Sequence, residues 1–214
     1  SNYSIFLSDN LITVNAQEVN VSLLTELLLA TKILPEEGHN ELAGYRPAGY
    51  MKNIDLTIPL SSKQAELSEH KPAEHKPLFK LKANLVNLSS QGYGGAPGGD
   101  GMTGYISMDD QHGSVMVDSD NFKLTFPDLF KEGWLFKSSQ VSVSWDITET
   151  DLIVYSEGIN LFLSESSLIT GDFLVRVSDV EESTLSLKVG LQNVDALRAY
   201  QFVPYYLVNP GLYD

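Results

Sequence analysis

Four histidines are the first residues that could do chemistry: His39, His70, His75 and His112, each in loop-like sequence. His70 and His75 sit in a near-repeat, Glu69-His70-Lys71-Pro72 and then Glu74-His75-Lys76-Pro77. Imidazoles with glutamate neighbours suit a metal. However, this spacing does not align two rings on a helix face, where i and i+4 is the useful separation. No HExxH or GxSxG motif occurs. Asp118-Ser119-Asp120-Asn121 starts like a calcium loop, but Phe122 stands where the third oxygen ligand belongs and no glycine follows. Asp109-Asp110 and Glu181-Glu182 are adjacent pairs, which on a strand point to opposite faces, whereas glycosidase chemistry needs carboxylates converging across a cleft. The absence of cysteine removes thiol nucleophiles, zinc–thiolate sites and iron–sulfur clusters. Residues 92–104 are glycine-rich but lack the Gly-Lys-Ser/Thr ending of a phosphate loop and a following helix. They read as a loop with positive-φ turns. The expectation is a protein that is not an enzyme and has no metal site or cofactor.

Composition narrows the partners. Over 214 residues, 14 cations face 28 acids, for a net charge of −14. That argues against nucleic acid, which needs a basic patch, and against a polybasic membrane-surface anchor. At 43% hydrophobic and 20% charged the chain is globular. Ser1-Asn2-Tyr3-Ser4-Ile5-Phe6 has no basic region and no long apolar run. We read residues 1–214 as a single β-rich segment of a longer protein.

The elements that must position any site are mostly strands. Tyr3 to Asn15 is strand-like, with Asp9-Asn10 as a hairpin turn. Residues 21–34 form the one convincing helix, capped by Asn20 or Ser22 and followed by Pro35. Leu23, Leu24, Leu27, Leu28 and Leu34 recur at helical spacing, which predicts an apolar stripe packed on a sheet. Residues 35–53 read as loop and turn, and Ile54–Leu60 and Leu78–Leu88 as strands. Residues 61–77 read as a flexible loop. From 105 to 191 the alternation is β almost throughout, with turn signals about every dozen residues, as in an antiparallel meander. Asp195 to Tyr200 reads as a short C-terminal helical turn.

Period-two alternation gives each strand one apolar face, and one helix covers only a few strands. Two solutions stand. The faces meet in a closed barrel or sandwich, as a structural or polysaccharide-binding module. Alternatively, they line a groove left open for an apolar ligand. Sugar binding would need an exposed aromatic platform, for which Trp134, Tyr155, Tyr205 and Tyr206 are candidates.

Several short motifs appear in a characteristic order. Leu42, Pro47 and Gly49 follow the helix. Gly101-Met102-Thr103-Gly104-Tyr105 closes the glycine-rich stretch. Phe126-Pro127-Asp128-Leu129-Phe130 precedes a strand, and Val141-Ser142-Val143-Ser144-Trp145 ends one in tryptophan. Ala199-Tyr200 and Val203-Pro204 follow near the end. In this order they resemble the AsmA-like proteins of the Gram-negative envelope, of the YhdP type, over about residues 20–214. Residues 61–77 have no clear counterpart, and Gln201-Phe202-Val203 departs from the tighter family element.

The resemblance implies an antiparallel meander curled into an open trough or half-barrel, a β-taco-like fold. It implies the periplasmic portion of an inner-membrane-anchored protein, with phospholipid acyl chains, the rest of the parent chain and other envelope proteins as partners. Phospholipid would pass between inner and outer membranes along an apolar groove, supporting the outer-membrane barrier. The expected inward-facing set is Val141, Val143, Trp145, Phe173, Val175, Val177, Leu185, Leu187, Val189 and Leu191.

Overall fold

The computed structural model describes residues 3–8, 11–31, 36–59, 79–128, 130 and 132–195. The elements run β1 (Tyr3–Ser8), β2 (Leu11–Asn20), α1 (Val21–Ala30), α2 (Glu36–Tyr45), β3 (Ala48–Pro59), β4 (Lys80–Ser90), β5 (Gly98–Asp109), β6 (His112–Thr125), β7 (Trp134–Ile147), β8 (Asp151–Phe162), β9 (Leu168–Ser178) and β10 (Thr184–Gln192). All ten strands join one antiparallel sheet in strict chain order. From β7 onward the connections are three to five residues, too short to carry a strand past its neighbour. Among the described residues β1 and β10 are the two edges, and the sheet is an open meander and not a closed barrel.

This corrects the sandwich expectation: among the described residues there is no second sheet to close over the first. The meander also begins earlier than residue 105, since β1 to β4 belong to the same sheet. The glycine-rich loop is shorter than 92–104. Tyr93 and Ala96 close a tight turn, and Gly98 already opens β5. The expected loop at 61–77 and the helical turn beyond Asp195 lie outside the described residues, as do His70 and His75.

A seam of irregularities crosses the sheet. Register shifts interrupt β3–β4, β4–β5, β5–β6, β7–β8 and β8–β9. Along it, Asn53, Asn87 and Asn121 take left-handed backbone, with Gly49 and Gly101. Asparagine and glycine are the residues that tolerate this region, and such bulges bend a strand. Buried serines bridge the ladder bonds lost there. The Thr103 N–H donates to Ser119 Oγ at 2.7 Å, and Ser119 Oγ donates back to Thr103 O at 3.1 Å. Ser139 Oγ donates to Ser119 O, and Ser156 Oγ to Ser142 O.

The helices differ from the sequence expectation in two ways. α1 starts as expected, with Asn20 Oδ1 accepting the Leu23 N–H at 3.1 Å. Yet its buried residues are Val21 and Thr25, while Leu23, Leu24 and Leu27 face outward. The Thr25 hydroxyl donates to Pro47 O at 3.0 Å and so docks this face on the chain entering β3. α1 therefore packs against β2, β3 and α2 at one end of the sheet, and the leucine stripe is not its packing face. α2 occupies part of the stretch read as loop. Its sequence has no apolar stripe, and tertiary contacts hold it. His39 Nε2 meets Leu29 O at 3.1 Å, Tyr45 O accepts the Gln91 N–H, and the Tyr45 ring packs edge-on against Tyr93. His39 thus lies on a helix and His112 opens a strand, neither of them in a loop.

Candidate apolar groove

Directly paired residues of an antiparallel sheet project to the same side. Register therefore fixes which residues share a face. One unbroken row reads Ile5, Val14, Leu56, Leu81, Met108, Gly113, Trp145, Val154, Val175 and Leu185, one residue from each strand. At about 4.8 Å between strands, nine gaps make an apolar track of roughly 43 Å. The row's one missing side chain is at Gly113, and the Trp145 ring fills that space. A Cβ at Gly113 would collide with the indole.

All ten residues expected to face inward fall on this side of the sheet. Val141 and Val143 pair with Val117 and Val115. Trp145, Val175 and Leu185 lie in the row itself, and Val177 pairs with Leu152 beside it. Phe173 pairs with Leu187, Gly171 with Val189, and Ile169 with Leu191. The set reached only the second half of the sheet. Strands β1 to β5 extend the same face through Ile5, Val14, Leu56, Leu81 and Met108, and the alternation of Ile54–Leu60 was the signal for this. Gly113 was also missed, because a glycine needed to seat a ring leaves no mark in hydrophobic periodicity.

Burial shows how the face is shaped. The buried strand residues Ile54, Ala83, Leu85, Val117, Leu161 and Ile169 lie on it by register, and Phe122 and Phe136, beyond the left-handed Asn121, pack with Leu161, Ile169 and Val141 in the same cluster. α1 packs on β2 and β3, and α2 reaches the end of β4, where Ser90 Oγ donates to Tyr45 O at 3.3 Å; the curl of the sheet itself shields the rest of these residues. Phe122 and Phe136 stack at 6.4 Å at its base. Away from the seam the face opens. Leu187 is 62% exposed, Val177 47% and Leu185 69%, whereas Phe136 is fully buried. The face is thus a trough with a packed floor and uncovered apolar walls.

Charge is kept to the other side. Arg176 alternates with Val175 and Val177, and Lys188 with Leu187 and Val189. Arg176 Nε donates to Asp151 at 2.9 Å, and its Nη1 to Glu181 at 2.7 Å. The Arg176 hydrogen bond, aided by those of Ser178 and Thr150, holds the Asp151 carboxyl below its ordinary range. Lys137, 2.7 Å from Glu165, does the same to that carboxyl. Lys188 faces Asp172 at 3.8 Å. Such exposed pairs contribute little stability, but they keep the outer face wet.

Among the described residues the polysaccharide-platform candidates Trp134 and Tyr155 do not come together. Trp134 packs against Phe126 and Phe130, Tyr155 lies on the polar face of β8, and Tyr205 and Tyr206 are outside the described residues. Among the described residues no group of three His, Cys, Asp or Glu side chains could hold a metal, and no helix is long and apolar enough to cross a membrane. No curated protein and no solved structure matches the chain. A family model described as YhdP protein matches residues 5–214, spanning every strand of the trough, and the chain belongs to that family.

Proposed function

We propose that the apolar trough is a track for phospholipid acyl chains, in an envelope protein that carries lipid between the inner and outer membranes and so maintains the outer-membrane barrier. On this reading the chain is a non-enzymatic periplasmic portion of a protein anchored in the inner membrane by another part. What carries the reading is the apolar row, one residue per strand over ten strands, with no described element covering it. Membership of the YhdP family supports it. Acyl chains would bind by area, at about 25 cal/mol per Å² removed from water, without a deep specific pocket. Weak contact repeated along a track suits transport, since one tight site would trap the cargo.

The test is native mass spectrometry of the chain purified from a Gram-negative host, with organic extraction of bound lipid. Phospholipid should co-purify with the wild type and be lost from Val143→Asp and Leu187→Asp proteins that keep their cooperative melts. Equal lipid in all three would refute the reading.

A further inference from the structure

The polar face carries a hollow of about 440 Å³ at the end of the sheet where Asp109 and His112 face each other across a two-residue turn. Its volume lies within the range of small-molecule sites, roughly 300–1,000 Å³. Register explains its composition. Lys82, Ser107, Ser114, Ser144 and Tyr155 are paired one to the next across five strands, so five donor groups form a single cross-strand row. Lys80 lies on the same face one step nearer the turn, opposite Asp109.

The row is a line of free donors. Among the described residues, the Lys80 and Lys82 ammoniums and the hydroxyls of Ser107, Ser114, Ser144 and Tyr155 make no hydrogen bond or ion pair. Asp55, opposite Lys82 on β3, is not ion-paired with it. The acids lining the hollow are turned elsewhere. Asp109 Oδ1 accepts the backbone N–H groups of Gln111 at 2.9 Å and His112 at 2.7 Å, and lies 3.5 Å from His112 Nδ1. Asp146 Oδ1 lies 3.9 Å from His112 Nε2. His112 thus stands between the two carboxylates, and neither carboxylate lies within ion-pair distance of Lys80 or Lys82. Three serine hydroxyls, a phenol and two ammoniums are donors arranged for an oxyanion, and lysine serves phosphate as a point charge.

We propose that this hollow binds the phosphate of a phosphate ester. The ester is either a phospholipid headgroup or a free phosphorylated solute. The lipid form rests on the trough reading. Trp145, on the apolar face, sits in β7 between Ser144 and Asp146 of the hollow, so a lipid lying along the track can bend its headgroup over the 109–112 turn.

The experiment titrates the full chain with three probes: inorganic phosphate, glycerol 3-phosphate and dihexanoyl phosphatidylglycerol below its micelle concentration. Dihexanoylglycerol, which lacks phosphate, is the control. Backbone amide shifts of residues 80–82, 107, 114 and 144 are followed by NMR. The proposal expects saturable shifts there with phosphate-bearing probes and none with dihexanoylglycerol. Binding should weaken about tenfold or more in the double variant Lys80→Gln, Lys82→Gln, and also in Ser114→Ala, which removes no charge. Shifts with all three phosphate probes mark a site open to free solutes. Shifts with the phospholipid alone mark a headgroup site. Phospholipid binding unaltered in both variants overturns the hollow and leaves the trough standing. Phosphate held in the hollow by a chain that takes up no lipid upholds it and refutes the trough. No shift with any phosphate probe overturns the proposal.

Discussion

Leu187→Asp separates the trough from the fold. Leu187 sits on β10, the last described strand, pairs with Phe173 and is 62% exposed. Fully burying a leucine side chain is worth about 1.5–3 kcal/mol. The folded chain therefore already realises roughly a third of that at this site, so losing it costs about 0.5–1 kcal/mol. The low β propensity of aspartate adds up to about 1 kcal/mol. Set against an ordinary stability of about 5–15 kcal/mol, the variant stays folded. The exposed remainder is what an acyl chain would cover, about 1–2 kcal/mol, or roughly a 5- to 25-fold loss of affinity. Desolvating the carboxylate against hydrocarbon makes the loss larger. The control is Ser186→Asp, one residue away, paired with Leu174 on the opposite face. The assay is a titration with a fluorescent fatty-acid analogue, with thermal melts by circular dichroism. Leu187→Asp should lose affinity and Ser186→Asp should not. Equal affinities in two folded variants, or equal losses, would refute the assignment of faces.

Three further perturbations test the frame. Phe136→Ala removes the fully buried floor residue stacked on Phe122 and should cost about 3–5 kcal/mol in denaturant unfolding. Gly113→Val drives a side chain into the Trp145 ring, and should cost about 1–3 kcal/mol and shift the tryptophan emission. The Asp151 carboxyl titrates lower in the folded chain than unfolded because Arg176 bonds it. Its contribution is therefore fully present above about pH 4 and disappears as the pH falls through the folded value. Asp151→Asn should remove that part of the acid limb in pH-dependent melts, leaving stability above pH 5 to fall by a constant amount.

The sheet was legible because period two survives in nearly every strand. Val141, Val143 and Trp145, or Leu185, Leu187, Val189 and Leu191, can be assigned to one side from spacing alone, and pairing then puts both sets on the same face. The helices were less legible for a physical reason. Leucine spacing in α1 predicts a packing face, but Val21 and Thr25 are the residues that the incoming β3 chain touches, and a Thr25 hydroxyl bond to Pro47 is a tertiary event. α2 forms although Gly38 and Gly44 disfavour helix, because Tyr45 is held by Gln91 and Tyr93. The hollow was invisible too. Ser107, Ser114 and Ser144 are ordinary polar alternates until register sets them side by side.

The seam connects these observations. A ten-stranded sheet with a largely apolar face and, among the described residues, no second layer would ordinarily collapse onto itself or onto another copy. Here the left-handed asparagines and the bulges bend adjacent strands along one line, and the sheet shields its own floor. The serines along that line matter for the same reason. Ser119 both donates to and accepts from Thr103, so its hydroxyl satisfies the Thr103 N–H and carbonyl where the ladder breaks. A Ser119→Ala variant strands the Thr103 N–H and carbonyl and should cost about 1–3 kcal/mol. Because the seam fixes the curl, that loss should also speed amide exchange more at the floor strands it holds than at β10: protection should fall first at Phe122 and Phe136. Uniform loss of protection across all ten strands would mean that the curl is set by the strands' own twist and not by the seam.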